Sequence, residues 1–412
     1  MATVKPFRCI RPAVEMAKDV AALPYDVYSR EEAKEAVKGK PYSFLNIDRP
    51  ETQFGPDFDM YSDEAYEKAA SMLEEWQEKG VFVSDSDEAY YVYELIMNGR
   101  SQTGIVACAA VDDYLNNVIK KHENTREEKE IDRIRHVDTC NAQTGPIFLA
   151  YASESVIKAA VERVKEKAPL YSFTEEDGIT HNVWKIAEAE EITKIRTAFE
   201  KINSIYIADG HHRAASAVKV GQKRRAENPG YTGNEEFNFF LSVLFPEDEL
   251  MIMPYNRVVK DLNGLSAEEF LARIEENFDI KKCGSAVEPS EKGTFGMLLC
   301  DTWYLLSAKD SIKALGDPVK SLDVSVLQDN ILSPVLGIKD PRTDKRIDFI
   351  GGIRGIKELE RRVALDMKIA FSMYPTSIRE LFAVSDAGLL MPPKSTWFEP
   401  KLRSGLFIHK IS

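Results

Sequence analysis

The stretch SIYIADGHHRAASAV, residues 204–218, decides how this chain is read. Its first half, around Ile205, Tyr206, Ile207 and Ala208, has the apolar character of a buried strand, and the alanine-rich half after it has that of a helix. Gly210 permits a sharp turn between them. The first N–H groups of such a helix lack intrahelical partners and point toward the loop, so the junction favours an anion. If that anion is a phosphate, Arg213 can grip it bidentately and His211 and His212 can donate hydrogen bonds to it. Asp209 can then orient a base or help position a divalent cation. Zinc suits the stretch less well. No cysteine lies nearby, and adjacent histidines point in different directions. The plainer alternative makes Asp209 a helix cap and the other three surface polar residues.

The chain has 412 residues, 44% hydrophobic and 29% charged, the balance of a folded globular protein. A net charge of -13 argues against a broad grip on nucleic acid, whose backbone is held by clustered Lys and Arg. Cys9, Cys108, Cys140, Cys283 and Cys300 are far apart, show no CxxC spacing and suit reduced thiols. The start, MATVKPFRCIRPA, has no secretory h-region, and no apolar run reaches the length of a membrane helix. The expectation is a cytoplasmic protein without membrane or nucleic-acid partners.

Working outward, helices and strands alternate. Ser29 caps a helix with Glu31 and Glu32 in its first turn and Gly39 near its end. Ser62 caps a second one over 62–79, with Tyr66, Ala69, Leu73 and Trp76 on one side. EAYYVYELIM and TGIVACAAV, joined by Asn98-Gly99, predict a tight hairpin. In KKHENTREEKEIDRIRHVDT, Thr125 and Glu128 fit a T-x-x-E capping box, which leaves His122, Glu123 and Asn124 in the loop ahead of a helix. GPIFLAYAS and ITHNVWKI predict strands, helices are expected at 154–167 and 187–201, and two more strands flank the turn PEDE. Ser266 caps a further helix, FGMLLCDTWYLLSA predicts a strand pair, and IKELERRVALDMKIAFSMYP predicts a helix stopped by Pro375. The fold class is therefore α/β (α+β), with mixed sheets and flanking helices. The segments expected are 1–110, 111–250 and 251–412, with one interwoven unit as the alternative.

Two further clusters carry chemistry. In KHENT, Glu123 can act as a general base for a hydroxyl, and His122 can steer that hydroxyl or contact phosphate. In MPPKSTWFEPKLRSGL, the Pro-Pro turn can present Lys394, Ser395 and Thr396 to an anionic ligand, with Trp397 or Phe398 offering a flat surface. A packed terminal segment explains the same residues. Walker GxxxxGK[ST], HRD with DFG, GxSxG and GxGxxG patterns are all missing, and GGIRG at 351–355 reads as a turn.

PYDV, HENT, ADGHHR, PYNRVV and MPPKSTWFEPKLRSGL occur in the order seen in a widespread bacterial and archaeal family catalogued as of unknown function, and this resemblance runs end to end. DGHHR also resembles the phosphate-binding signature of the ParB and sulfiredoxin-like superfamily, and especially that of the free L-serine kinases. The resemblance implies a ParB-like nucleotide-binding core over 111–250, elaborated by N- and C-terminal α/β segments. Asp209, Gly210, His211, His212 and Arg213 match the motif residue by residue. It implies a kinase that transfers phosphate from ATP or ADP to a small hydroxyl compound, free L-serine first, with Mg²⁺ held in part by Asp209. Asp209 and His212 then join Glu123 as catalytic residues, and Gly210, His211, His212 and Arg213 bind the nucleotide phosphates. His122, Lys394, Ser395 and Thr396 are expected to hold the substrate. Glu123 takes the place of the upstream base, at an 86-residue interval that is longer than in the small kinases. The alternative is a ParB-like nucleotide switch that hydrolyses its ligand without an acceptor. Transfer to sulfur is disfavoured, because no cysteine lies close in sequence to the motif.

Overall fold

The computed structural model describes residues 1–314 and 316–412. Met1–Leu250 together with Pro400–Ser412 form one compact unit, and Met251–Glu399 form a second.

The first unit is built on a nine-stranded mixed sheet. Its strands in chain order are β1 (Val4–Lys5), β2 (Tyr90–Met97), β3 (Arg100–Ala110), β4 (Ile119–Lys120), β5 (Ile147–Tyr151), β6 (Tyr171–Thr174), β7 (Thr180–Ile186), β8 (Ile205–Asp209) and β9 (Phe239–Pro246). They lie in the order β4-β8-β5-β9-β3-β2-β7-β6, with β1 paired to β3. The β2–β3 hairpin turns through Asn98 and Gly99 at φ 52° and 78°, the positive angles that a tight hairpin demands. Strand β8 runs parallel to β4 and antiparallel to β5. Its Ile205 and Ile207 are fully buried, which stabilises the strand by roughly 2 kcal/mol each. The pairing with β5 slips between Ile207 and Asp209. Such a bulge re-aims the side chains that follow it, here immediately before the turn.

Two helices pack on each other beside this strand: α1 (Glu127–Cys140) and α2 (His211–Glu227). Helix α1 does not start as a capping box. Arg126 occupies its cap position without a side-chain bond, and the Thr125 hydroxyl donates to Glu130 instead of pairing with Glu128. Lys219 of α2 engages the same Glu130 carboxylate, so a tertiary ion pair outcompetes the local motif. A smaller sheet joins Phe82–Ser84, Cys9–Pro12, Ile408–Lys410 and Ala142–Gln143, in that order, and ties the end of the chain into this unit. The Ser29 helix closes with a full Ser29–Glu32 capping box. All five cysteines are free.

The second unit is a six-stranded antiparallel sheet. Its strands are β10 (Tyr255–Val259), β11 (Phe278–Cys283), β12 (Thr294–Leu299), β13 (Thr302–Ala308), β14 (Ile347–Gly351) and β15 (Ile369–Met373), in the order β11-β13-β12-β15-β10-β14. The single helix expected over IKELERRVALDMKIAFSMYP divides into α3 (Ile356–Leu365) and β15. Every residue of β15 is buried, and both of its edges are paired, to β12 and to β10. A full ladder to β12 and a three-residue ladder to β10 outweigh the helical tendency of that segment.

The chain is thus a mixed α/β protein. Among the described residues, no helix is long and apolar enough to cross a membrane.

Candidate active site

Gly210 adopts φ 93° and ψ 33° between β8 and α2, the left-handed turn that its lack of a side chain allows. A β-carbon there would sit 3.1 Å from Arg213 Nε and Nη2, so the guanidinium lies directly over the turn. Gly210, not Asp209, is the cap residue, so the plainer alternative that made Asp209 the helix cap does not hold. The Asp209 carboxylate accepts from Gly210 N at 2.8 Å through Oδ1 and from Lys401 Nζ at 2.9 Å through Oδ2. Burial works to raise its pKa, but Lys401 and Arg213 hold it well below the usual carboxylate range. Asp209 is therefore a fixed negative charge at neutral pH.

The HENT loop crosses this junction. His122 N donates to His211 Nε2 at 3.4 Å, Glu123 Oε2 lies 3.8 Å from His211 Nδ1, and Arg126 N donates to His212 Nε2 at 3.0 Å. Because His211 accepts through Nε2, its proton resides on Nδ1 and faces Glu123. Burial, reinforced by His122, keeps His211 neutral. His212 accepts through Nε2 in the same way, which leaves its proton on Nδ1. Its pKa is lowered by burial, against the opposing charges of Asp26 and Glu130. Glu123 keeps 39% of its side chain exposed, so its carboxylate can reach a ligand. His122 is fully enclosed, edge-on to His211 with ring centroids 4.4 Å apart, and burial drives its pKa down to about 4. Its ring is closed off from solvent.

Glu123, Asp209, Gly210, His211, His212 and Arg213, from two segments far apart in sequence, lie together at the β8–α2 junction. No curated protein matches the sequence. The sequence does match the family described as Protein of unknown function (DUF1015), over residues 4–325 and thus more than half of the chain. The chain belongs to that family. Among solved structures, this DUF1015 protein is similar to a free serine kinase in complex with AMP, at 15% identity and TM-score 0.35, covering 75% of this chain and 91% of that one. It is similar to a mutant free serine kinase in complex with ADP, at 15% identity and TM-score 0.36, covering 77% and 95%. SbnI with C-terminal truncation, from Staphylococcus aureus, is similar at 12% identity and TM-score 0.38, covering 74% and 87%. Likeness of this degree carries no conclusion about activity.

Lys394, Ser395 and Thr396 belong to the second unit of the DUF1015 chain. There the Ser395 hydroxyl donates to the Pro392 carbonyl at 2.6 Å, and the Lys394 carbonyl accepts from Arg257 at 3.0 Å. The part of the quoted C-terminal motif that enters the first unit is further on, at Lys401 and Ser404. Sequence reasoning passed over both, although they stand seven and ten residues after Lys394 in the same conspicuous stretch. It also passed over Tyr25 in PYDV and over Asp48 and Arg133, which share a cavity with Arg213, Thr144 and Ser404. Arg133 had a legible signal. Glu130, Arg133, His136 and Cys140 recur at helical spacing and form the buried face of α1.

Proposed function

We propose that this protein is a phosphotransferase that moves a phosphoryl group from ATP or ADP to a small hydroxyl compound, with free L-serine, giving O-phospho-L-serine, as the preferred acceptor. The observation that carries the proposal is the meeting of the HENT loop with the DGHHR junction, which sets an accessible Glu123 carboxylate 3.8 Å from His211 at the start of a 17-residue helix. The choice of nucleotide and serine rests on the resemblance of DGHHR to the signature of free serine kinases.

Nucleotide phosphate binds at the first turn of α2, where unpaired N–H groups and the positive end of the helix dipole favour an anion. Arg213 and the Nδ1–H of His212 add donors, and Lys401 offsets the charge of Asp209. Glu123 accepts the acceptor's hydroxyl proton as that oxygen attacks the terminal phosphorus. The bond from phosphorus to the bridging oxygen breaks, and the nucleotide leaves one phosphate shorter. Both oxygens of Asp209 are engaged, and no cluster of three His, Cys, Asp or Glu side chains suited to a metal occurs among the described residues. The residues present therefore do not fit the expected Mg²⁺ site at Asp209. Mg²⁺ carried by the nucleotide phosphates would offset their charge.

A nucleotide switch uses the same junction with water in place of the acceptor. Calorimetry with a nucleotide panel, with and without L-serine, separates the two: acceptor-dependent consumption of nucleotide is the result expected here, and tight binding with no acceptor dependence overturns it.

A further inference from the structure

Arg213 also lines a cavity whose wall includes Tyr25, Asp48, Arg133, Thr144 and Ser404. Its polar groups are of mixed sign. Arg133 is neutralised by Asp132, which accepts from Nε at 3.0 Å, and its guanidinium stacks 4.1 Å from the Tyr25 ring centroid. Two charges remain. Asp48, 2% exposed, accepts the Thr144 hydroxyl at 2.9 Å through Oδ1, and its second oxygen has no hydrogen-bond partner among the described residues. Arg213 donates from Nη1 to the Pro146 carbonyl at 2.5 Å, while its Nε is enclosed with no partner among the described residues. A charged donor and a carboxylate oxygen without full sets of partners make this wall suited to a polar ligand. One cationic and one anionic wall group call for a ligand that carries both charges.

We propose that this cavity is the acceptor subsite of the phosphotransferase and takes a small zwitterion, an α-amino acid, with its carboxylate on Arg213 and its ammonium on Asp48. The assignment rests on the function proposed above for its catalytic meaning, while its ligand chemistry stands on the cavity itself. Arg213 joins the two halves of the site, because the guanidinium that lines the cavity also covers the Gly210 turn. An amino acid anchored there extends its side-chain hydroxyl toward the phosphate. Tyr25 offers a nucleotide base no free stacking face on the side that Arg133 occupies, which favours a small ligand over a second nucleotide.

Equilibrium dialysis of radiolabelled L-serine against the full-length protein, with and without AMP, tests the proposal. The competitors are glycerate, which lacks the ammonium, and ethanolamine, which lacks the carboxylate. Serine is expected to bind, and each competitor to bind at least about tenfold more weakly, as fits loss of one charged hydrogen bond. Asp48→Asn is expected to weaken serine by about tenfold or more while glycerate is little affected. Gly145→Ala supplies a second variant, since its β-carbon would meet Ser404 Oγ at 3.3 Å and Arg213 Cδ at 3.6 Å and so narrow the cavity. It too should weaken serine while ADP binding persists. If serine binds no better than glycerate and ethanolamine, or the Asp48→Asn protein binds it as the wild type does, the assignment is wrong. ADP binding measured in parallel keeps the two readings apart. Serine bound without any nucleotide binding supports the cavity and removes the phosphotransferase, whereas nucleotide bound without serine removes the cavity assignment.

Discussion

Lys401 Nζ stands 2.9 Å from Asp209 Oδ2, so a residue 192 positions further along the chain completes the charge balance of the strand-to-helix junction. The pair is partly exposed, with 19% and 31% of the two side chains accessible. Its worth therefore falls between that of a surface bridge and that of a buried one. Lys401→Ala should cost about 1–2 kcal/mol at neutral pH. Asp209 titrates below its ordinary value in the folded state, so its stabilisation is present above the unfolded pKa near 3.9 and is lost as pH falls through the folded value. Denaturant unfolding of wild type and variant should accordingly differ at pH 7 and converge in acid. A constant difference across that range would show that the pair is not the source.

All six histidines, His122, His136, His181, His211, His212 and His409, are pushed below the ordinary imidazole value, with burial the largest cause in each case. The folded protein should then show no imidazole titrating near pH 6.5 or above when its ring proton resonances are followed by NMR. Below about pH 6.5 the unfolded chain binds protons that the folded chain does not, so stability falls as pH drops from about 6.5 toward about 4, the value for His122. Resonances that move with a midpoint near 6.5 would contradict this.

Gly210→Ala should damage both stability and nucleotide binding. The backbone at φ 93° strains any β-carbon, at about 1–2 kcal/mol, and the added methyl meets Arg213 at 3.1 Å. Thermal unfolding and AMP titration of the variant measure the two effects separately.

Glu123→Gln keeps the shape of the side chain and removes its basicity. Phosphate transfer should fall by about 100-fold or more, with AMP affinity unchanged. A parallel loss of binding would make Glu123 a nucleotide ligand and not a base.

Much of this site was legible in local sequence because turns and caps are local chemistry. Gly210 marked the turn, Asn98-Gly99 marked the hairpin, and Ser29 and Ser266 marked helix starts that close as full capping boxes. What local reasoning missed was decided by long-range partners. Thr125 turned to Glu130 because Lys219 holds that carboxylate, and Ile369–Met373 became a strand because two neighbours supply ladders that a helix reading cannot see. Lys401 and Asp48 carry no local motif of their own. Only the fold brings Lys401 to Asp209, and Asp48 onto the cavity that Arg213 shares.

The most direct test of the central claim is incubation of the purified full-length protein with L-serine, Mg²⁺ and either ATP or ADP, with the products followed by ³¹P NMR. A phosphomonoester resonance identical to that of added O-phospho-L-serine is expected, formed in step with loss of the donor's terminal phosphate and nearly absent in the Glu123→Gln protein. No phosphoserine with either donor, or equal amounts from wild type and Glu123→Gln, would contradict it.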